Sequence, residues 1–175
     1  MKYFSKLAFI VLFTLPIVAN ANCQKLYSSL ENQLNININE FDQQQNKGWR
    51  ILAQNKCYKQ AAQLIEQYIK LNKNITNEAL KWHLFQMKSM AGETELAIKL
   101  GHEILAQAQN SPTEFLWREY VAATIAFLED DRKSLLVNRN ALASKQDFKP
   151  NKMNLIVLDR LIANIKKPYV EAYFE

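Results

Sequence analysis

The chain carries few of the residue patterns that support chemistry. His83 and His102 are its two histidines, and they fall on different predicted helices, so neither completes an H-E-x-x-H or similar zinc motif. Glu129-Asp130-Asp131 places three acids side by side, whereas a calcium loop needs alternating oxygen donors and a glycine. We therefore expect no metal site and no cofactor. His102 is interpreted as solvated, and His83 as a half-exposed surface residue, with a role in binding as its alternative.

An enzyme without a local motif is the competing interpretation. Carboxylate pairs that hydrolyse glycosidic bonds converge in space and leave no sequence pattern, so such a pair could lie among Glu103, Glu114 and Glu119. With three glycines in 175 residues, the chain has no P-loop, dinucleotide fingerprint or G-x-S-x-G motif. We expect a protein that is not an enzyme, and keep a cell-wall or glycan-directed enzyme as the alternative function.

Residues 1–21 have the features of a cleaved signal peptide. A basic n-region precedes an apolar run at residues 7–15, and Ala19-Asn20-Ala21 is a small-residue cleavage signal. The apolar run is shorter than the roughly 20 residues that cross a bilayer, although a retained anchor remains the alternative. We expect a mature domain at residues 22–175 that is periplasmic or secreted and has no stable membrane insertion.

The charge of the mature chain is modest. Removing the signal peptide removes Lys2 and Lys6, so 22 − 2 = 20 basic residues face 17 acidic ones and the net charge falls from +5 to +3. These basic residues are scattered, whereas nucleic-acid-binding proteins concentrate them on one face. No nucleic-acid partner is expected. The mature length suits one domain with a sizeable core, and nothing in it determines an oligomeric state.

The two cysteines, Cys23 and Cys57, are expected to form a disulfide. An even count in an exported chain favours this over a metal site or a redox pair, with free buried thiols as the alternative. Closing a loop of this length stabilises the fold by about 4 kcal/mol on chain-entropy grounds. The bond would attach the N-terminal segment to the turn of the first helical hairpin.

Apolar residues recur at helical spacing and predict three helical hairpins, followed by a last helix at residues 151–165 and a short turn at residues 169–173. In the central hairpin, Ala97 and Gly101 are small enough to let a neighbouring helix approach closely. Asn35 to Asn39 alternates polar and apolar residues, but it has no partner strand and is interpreted as a connector. The hairpin turns are predicted at residues 55–57, 91–93 and 129–131.

Two helix starts have local signals. Thr76 is the expected N-cap of the central hairpin. Ser111-Pro112-Thr113-Glu114 reads as a capping box with proline at the first helical position, which predicts a helix that begins at Pro112.

Similar landmarks open the second helix of each hairpin, at spacings of 36 and 38 residues. They are Tyr58-x-x-Ala61, Thr94-x-x-Ala97 and Arg132-x-x-Leu135, with Trp49, Phe85 and Ala123 at matching places in the first helices. This pattern resembles a degenerate tetratricopeptide-repeat array over Gly48 to Ser144. Two first helices carry a large aromatic where the repeat expects a small residue, and the repeat-ending proline is missing. The resemblance implies an all-α fold in which antiparallel hairpins stack as a short right-handed solenoid, with an extra C-terminal helix.

The resemblance also implies a groove lined by the first helices, which in such arrays holds a peptide or a partner segment. In that register the groove residues are Trp82, Gln86, Trp117 and Tyr120. The alternative is that these aromatics fill the core between hairpins. The expected function is therefore a non-catalytic scaffold of the cell envelope that binds an unidentified protein or peptide. Neutralisation of a toxin, as an immunity protein, is included in that expectation.

Overall fold

A computed structural model describes residues 15–73, 77–108 and 114–175 of the chain. Within these ranges the backbone is helical and forms no strand, which confirms the predicted all-α class. A 3-10 helix spans Glu31–Asn35. The α-helices are α1 (Leu15–Ser29), α2 (Ile38–Gln43), α3 (Arg50–Gln54), α4 (Tyr58–Leu71), α5 (Glu78–Met90), α6 (Thr94–Gln107), α7 (Trp117–Leu128), α8 (Arg132–Ala143), α9 (Lys149–Ala163) and α10 (Tyr169–Phe174).

From α3 to α10, each helix packs against the next one along the chain. Three-residue turns join α3 to α4, α5 to α6 and α7 to α8, which are the three predicted hairpins. In addition, α1 packs against α4, α7 against α9, and α10 reaches back to α5. The buried apolar side chains form one continuous core, so the described chain behaves as one packed unit.

The three hairpin turns share one backbone geometry. In each, a residue with left-handed φ follows the helix: Lys56 (58°), Gly92 (76°) and Asp130 (59°). The next residue then donates its N–H to the carbonyl five positions back. These bonds are Cys57 to Leu52 (2.9 Å), Glu93 to Lys88 (3.0 Å) and Asp131 to Ala126 (2.8 Å). Together with the shorter bonds from Lys56, Gly92 and Asp130, this is the Schellman motif, which satisfies carbonyls at a helix end.

Small residues bring α6 close to its neighbours, as predicted. Ala97 is fully buried. A Cβ atom added at Gly101 would lie 2.8 Å from Phe85 of α5 and 2.8 Å from Ile125 of α7. These separations are shorter than van der Waals contact, so a larger residue at this position would force the two neighbouring helices apart.

Both predicted helix starts differ from the structure where it describes them. The N-cap of α5 is Asn77, whose side chain accepts a hydrogen bond from the Leu80 N–H at 2.9 Å, while Thr76 lies outside the described residues. Residues 111–113 of the predicted capping box also lie outside them. A helix that begins at Pro112 would include residues 114–116. This part of the prediction is wrong, because α7 begins at Trp117.

A buried side chain explains the late start of α7. Asn151, at the beginning of α9, accepts a hydrogen bond from the Leu116 N–H at 3.0 Å and donates to the Glu114 carbonyl at 2.7 Å. Its amide also donates to the Lys145 carbonyl at 3.0 Å. These contacts hold residues 114–116 in a non-helical conformation. Their backbone groups bond to Asn151 and not within the helical turn that a capping box would form.

A disulfide attaches the N-terminal segment to the turn of the first hairpin, as predicted from the two cysteines. Cys23 of α1 forms a disulfide with Cys57, the N-cap residue of α4, with Cα atoms 5.4 Å apart. The connector assigned to Asn35–Asn39 is confirmed for Ile36 and Asn37 only, because α2 begins at Ile38 and Asn37 caps it. The predicted cleavage point after Ala21 lies within α1. Across the described ranges, every helix is too short or too polar to cross a bilayer.

Candidate binding site

Three of the four residues predicted to line a groove, Trp82, Trp117 and Tyr120, are in contact, and the fourth, Gln86, lies one turn from Trp82 on α5. Trp82 and Gln86 lie one turn apart on α5, and Trp117 and Tyr120 lie one turn apart at the start of α7. Side chains separated by three or four positions share a helix face, so each pair points the same way. We call these four side chains, which are three aromatic rings and the Gln86 amide, the aromatic face.

The rings of the aromatic face pack directly against one another. The centroid of the Trp82 ring lies 4.9 Å from that of Trp117 and 5.4 Å from that of Tyr120, and the last two are 5.9 Å apart. Edge and tilted contacts at these distances are favourable for aromatic pairs. Trp82 and Tyr120 are only 5% and 3% exposed and belong to the core, whereas Trp117 and Gln86 are half-buried. Partner binding by this face remains a prediction.

The last described helix, α10, lies against this same face. It packs on α9, as predicted for the turn that contains Tyr169, Ala172 and Tyr173, and it also contacts α5. The Tyr169 ring is 5.9 Å from the ring of Phe127 on α7. The Gln86 amide lies beside the hydroxyls of Tyr169 and Tyr173.

Burial of these phenols has an energetic consequence. It raises the pKa of Tyr120, Tyr169 and Tyr173 above the ordinary value, since each hydroxyl would ionise in a water-poor environment, and a neighbouring tyrosine raises the pKa of Tyr120 and Tyr169 further. The Tyr169 hydroxyl is buried, and the neighbouring Gln86 amide does not reach it with the geometry of a hydrogen bond, so it has no partner among the described residues. Leaving a buried hydroxyl unpaired costs about 1–3 kcal/mol. The contact between α10 and the aromatic face is therefore less favourable than its apolar area implies.

An open cleft of about 510 Å³ lies beside the segment that leads into α10. It is bounded by residues 165–170 on one side and by the ends of α5 and α7 on the other. Lys166, which lines it, forms an exposed ion pair with Asp130 at 2.5 Å. The connection between α9 and α10 is thus only partly packed against the rest of the molecule.

The structure also contains a buried polar site, centred on Asp42, that the sequence did not predict. Asp42 of α2 is fully buried, and its Oδ1 lies 2.7 Å from Nδ1 of His83 and 3.0 Å from the indole nitrogen of Trp49, which donates to it. The Gln43 amide donates to its other oxygen. Burial alone would raise the pKa of Asp42, but the hydrogen bond and charge of His83, with the Trp49 and Gln43 donors, lower it instead.

His83 is therefore not the half-exposed surface residue expected from the sequence. Its side chain is mostly buried, stacks near the Trp49 ring and bonds a carboxylate 41 positions earlier in the chain. No local pattern relates the two positions, and a single acid in a short helix gives no hint of its burial. The pair joins α2, α3 and α5 and orients the imidazole.

The remaining candidates are dispersed. His102 is exposed, as expected, and lies 2.8 Å from Glu129. Of the acids considered for glycan hydrolysis, Glu103 and Glu114 are exposed and Glu119 is half-buried. In the part of the chain that the structure covers, no three His, Cys, Asp or Glu side chains gather as a metal site.

Comparisons with known proteins give no family for this fold. No family model, curated protein or solved structure matches the chain. Function is therefore argued from the site alone.

Proposed function

We propose that this chain is an exported, non-catalytic scaffold of the cell envelope that binds a protein or peptide segment on its aromatic face. An immunity-type role, in which the bound segment belongs to a toxin, is one form of this function. The observation that carries the proposal is the contact among Trp82, Trp117 and Tyr120, three of the four residues predicted from the repeat register, with Gln86 one turn from Trp82 on α5.

The proposal includes a repeat architecture, in which the hairpins stack as a short tetratricopeptide-like solenoid. Two observations support it. The three Schellman turns recur at spacings of 36 and 38 residues, as the landmarks do. The corresponding residues Ala61, Ala97 and Leu135 are all fully buried at the start of the second helices. A repeated unit places the same backbone geometry and the same buried position at each period.

The proposal requires that the protein is exported. The segment at residues 1–21 has the order of basic, apolar and small residues that signal peptides share. The disulfide between Cys23 and Cys57 is compatible with it, because disulfides persist in oxidising compartments.

The chemistry of the face also favours binding. Interfaces concentrate their affinity in a few tryptophan and tyrosine anchors, which contribute apolar area at low entropic cost. Trp117 is such a residue, half-buried beside the deeper Trp82 ring, and Gln86 adds an amide that can donate and accept. A partner segment would meet a preformed apolar surface with one polar group to fix its orientation.

The test is a crosslinked pull-down of the exported protein from its own cell envelope, read by mass spectrometry and compared between variants. Trp117→Ala is expected to reduce recovery of a reproducible partner at least tenfold, since a tryptophan anchor typically contributes 2 kcal/mol or more. Trp82 is unsuitable here because its burial would couple binding to stability.

Met153→Ala is the matched control. Met153 is 60% exposed on α9, outside the two helices that carry the aromatic face, so its truncation should leave recovery unchanged. Both variants are first compared with the parent by thermal unfolding, to exclude loss of the fold. A partner recovered equally with Trp117→Ala, or no partner at all, would refute the proposal.

A further inference from the structure

Part of the aromatic face, at Gln86 and Tyr120, is already covered by a segment of this chain. Helix α10 packs on α9 and α5, and its Tyr169 ring approaches Phe127 of α7. The hydroxyls of Tyr169 and Tyr173 lie beside Gln86, and both tyrosines are close enough to Tyr120 for the three phenols to interact electrostatically. The contacts of α10 and the expected contacts of a partner thus overlap at Gln86 and beside Tyr120.

The residues of α10 follow the pattern by which a short helix docks into a groove. Tyr169 and Ala172 are buried and Tyr173 is partly buried, at positions i, i+3 and i+4, whereas Glu171 and Phe174 face solvent. Peptide helices bound in apolar grooves anchor themselves with this spacing. The two tyrosines supply the anchors, and the alanine lets the backbone approach the face.

Three features indicate that α10 is weakly held. It has six residues, far fewer than the number at which a helix is stable by itself in water. Its Tyr169 hydroxyl is buried without a partner and would regain hydrogen bonds to water on release. The segment that leads into it borders an open cleft of about 510 Å³. Weakly held elements are those that open locally while the rest of a fold persists.

We propose that α10 is an intramolecular occupant of the aromatic face, and that the partner is a short helical segment of the same pattern. Such a segment has aromatic residues at its first and fifth positions and a small residue at its fourth, and it docks where α10 docks. This inference rests on the proposed function. Because only the open state accepts the partner, docking of α10 lowers the apparent affinity in proportion to the open fraction.

The experiment measures binding of a fluorescent peptide with the sequence of residues 167–175 to the full disulfide-bonded chain, by anisotropy. Tyr173→Ala removes one anchor from α10 and leaves the aromatic face intact. We expect the peptide to bind this variant at least tenfold more tightly than the parent chain. A peptide in which both tyrosines are replaced by alanine should bind neither.

Phe174→Ala is the matched control, since it truncates the neighbouring aromatic of the same helix, which is 59% exposed. It should leave the peptide affinity within twofold of the parent. Adding Gln86→Ala to the Tyr173→Ala chain should abolish the gain, which places the peptide on the part of the aromatic face that α10 covers. Equal affinity for the parent and Tyr173→Ala chains, or no binding to either, would overturn the inference.

Hydrogen exchange of the unaltered chain gives a readout that does not depend on a variant. Amides of α10 should exchange at least tenfold faster than those in the middle of α9, through local opening. Exchange of both helices only by global unfolding would mean that α10 is a fixed part of the core. In that case the inference fails, while a partner that depends on Trp117 would leave the proposed function standing.

Discussion

Asp42 shows how one buried side chain can determine local structure. Its carboxylate accepts hydrogen bonds from Trp49 and Gln43 and pairs with His83, so three helices meet at one polar group. Its backbone carbonyl also accepts from the Arg50 side chain. A buried charge that loses its partners costs far more than the pair contributes in net terms, so the site depends on each of its members.

Changing Asp42 is predicted to destabilise the protein in a pH-dependent manner. Asp42→Asn should lower the free energy of unfolding by about 3 kcal/mol at pH 7, because it leaves His83 and Trp49 poorly paired. The pKa of Asp42 is lowered in the fold, so its stabilising contribution is fully present above the unfolded value near 4 and is lost as the pH falls through the folded value.

Urea unfolding of the parent and variant between pH 7 and pH 2 measures this prediction. The difference in stability between them should begin to shrink below about pH 4, where Asp42 of the unfolded chain takes up a proton, and should be lost once the folded carboxylate is protonated too. Glu103→Gln is the control, since Glu103 is exposed and its removal should change stability by less than about 0.5 kcal/mol. A constant difference at all pH values would contradict the role assigned to ionised Asp42.

At the scale of elements, the three hairpin turns adopt the same backbone conformation, although a different residue occupies the left-handed position in each. Gly92 suits the left-handed conformation, because it has no Cβ atom to clash with the backbone. Lys56 and Asp130 adopt the same conformation in the other two turns at a steric cost of about 1 kcal/mol each. The motif is thus retained even where its residue is unfavourable, which indicates that helix packing on both sides determines the turn.

Removing the glycine from one of these turns and introducing a glycine in another should therefore have opposite effects on the free energy of unfolding. Gly92→Ala is expected to lower the free energy of unfolding by about 1 kcal/mol through φ strain alone, since no atom lies within 4 Å of an added Cβ. Lys56→Gly should raise it by about 0.5 kcal/mol, as relief of strain exceeds the added entropy of the unfolded glycine.

Chemical denaturation of the two variants and of Lys56→Ala tests this assignment. The alanine variant removes the lysine side chain but keeps a Cβ atom in the left-handed region, so it should bring no gain. If Lys56→Ala and Lys56→Gly stabilise equally, the effect comes from the lysine charge or its mobility. The strain account would then be wrong for this turn.

At the scale of the whole molecule, the sequence predicts what depends on local periodicity. The all-α class, the three turns and the close approach at Gly101 follow from apolar spacing and residue size. The start of α7 does not, because the Asn151 side chain comes from a helix that is distant in sequence. For the same reason the pairing of Asp42 with His83 and the docking of α10 on α5 are tertiary contacts without a local signal.

The four residues of the aromatic face illustrate this division. Their shared face was predictable, since Trp82 and Gln86, like Trp117 and Tyr120, have helical spacing. The depth of each ring was not, because burial depends on what packs above it. Helix α10 covers this face at Gln86, and its place follows from a path across α9 that short-range patterns do not determine.

The disulfide between Cys23 and Cys57 is a covalent cross-link from the N-terminal segment to the first helical hairpin. It closes a separation of 34 residues between α1 and the start of α4. On chain-entropy grounds it stabilises the fold by about 4 kcal/mol, which corresponds to about 10 °C in melting temperature for a domain of this size. Reduction should also loosen α1 first, since its remaining contacts are with the 3-10 helix, α3 and α4.

Thermal unfolding with and without reductant measures this contribution. We expect reductant to lower the melting temperature of the parent by about 10 °C and to leave the double variant Cys23→Ser and Cys57→Ser unchanged. Hydrogen exchange should show the loss of protection concentrated in α1, with α5 to α9 retaining theirs. A parent that melts at the same temperature in both conditions would mean that the hairpins hold α1 by packing alone, and that the bond contributes nothing measurable to stability.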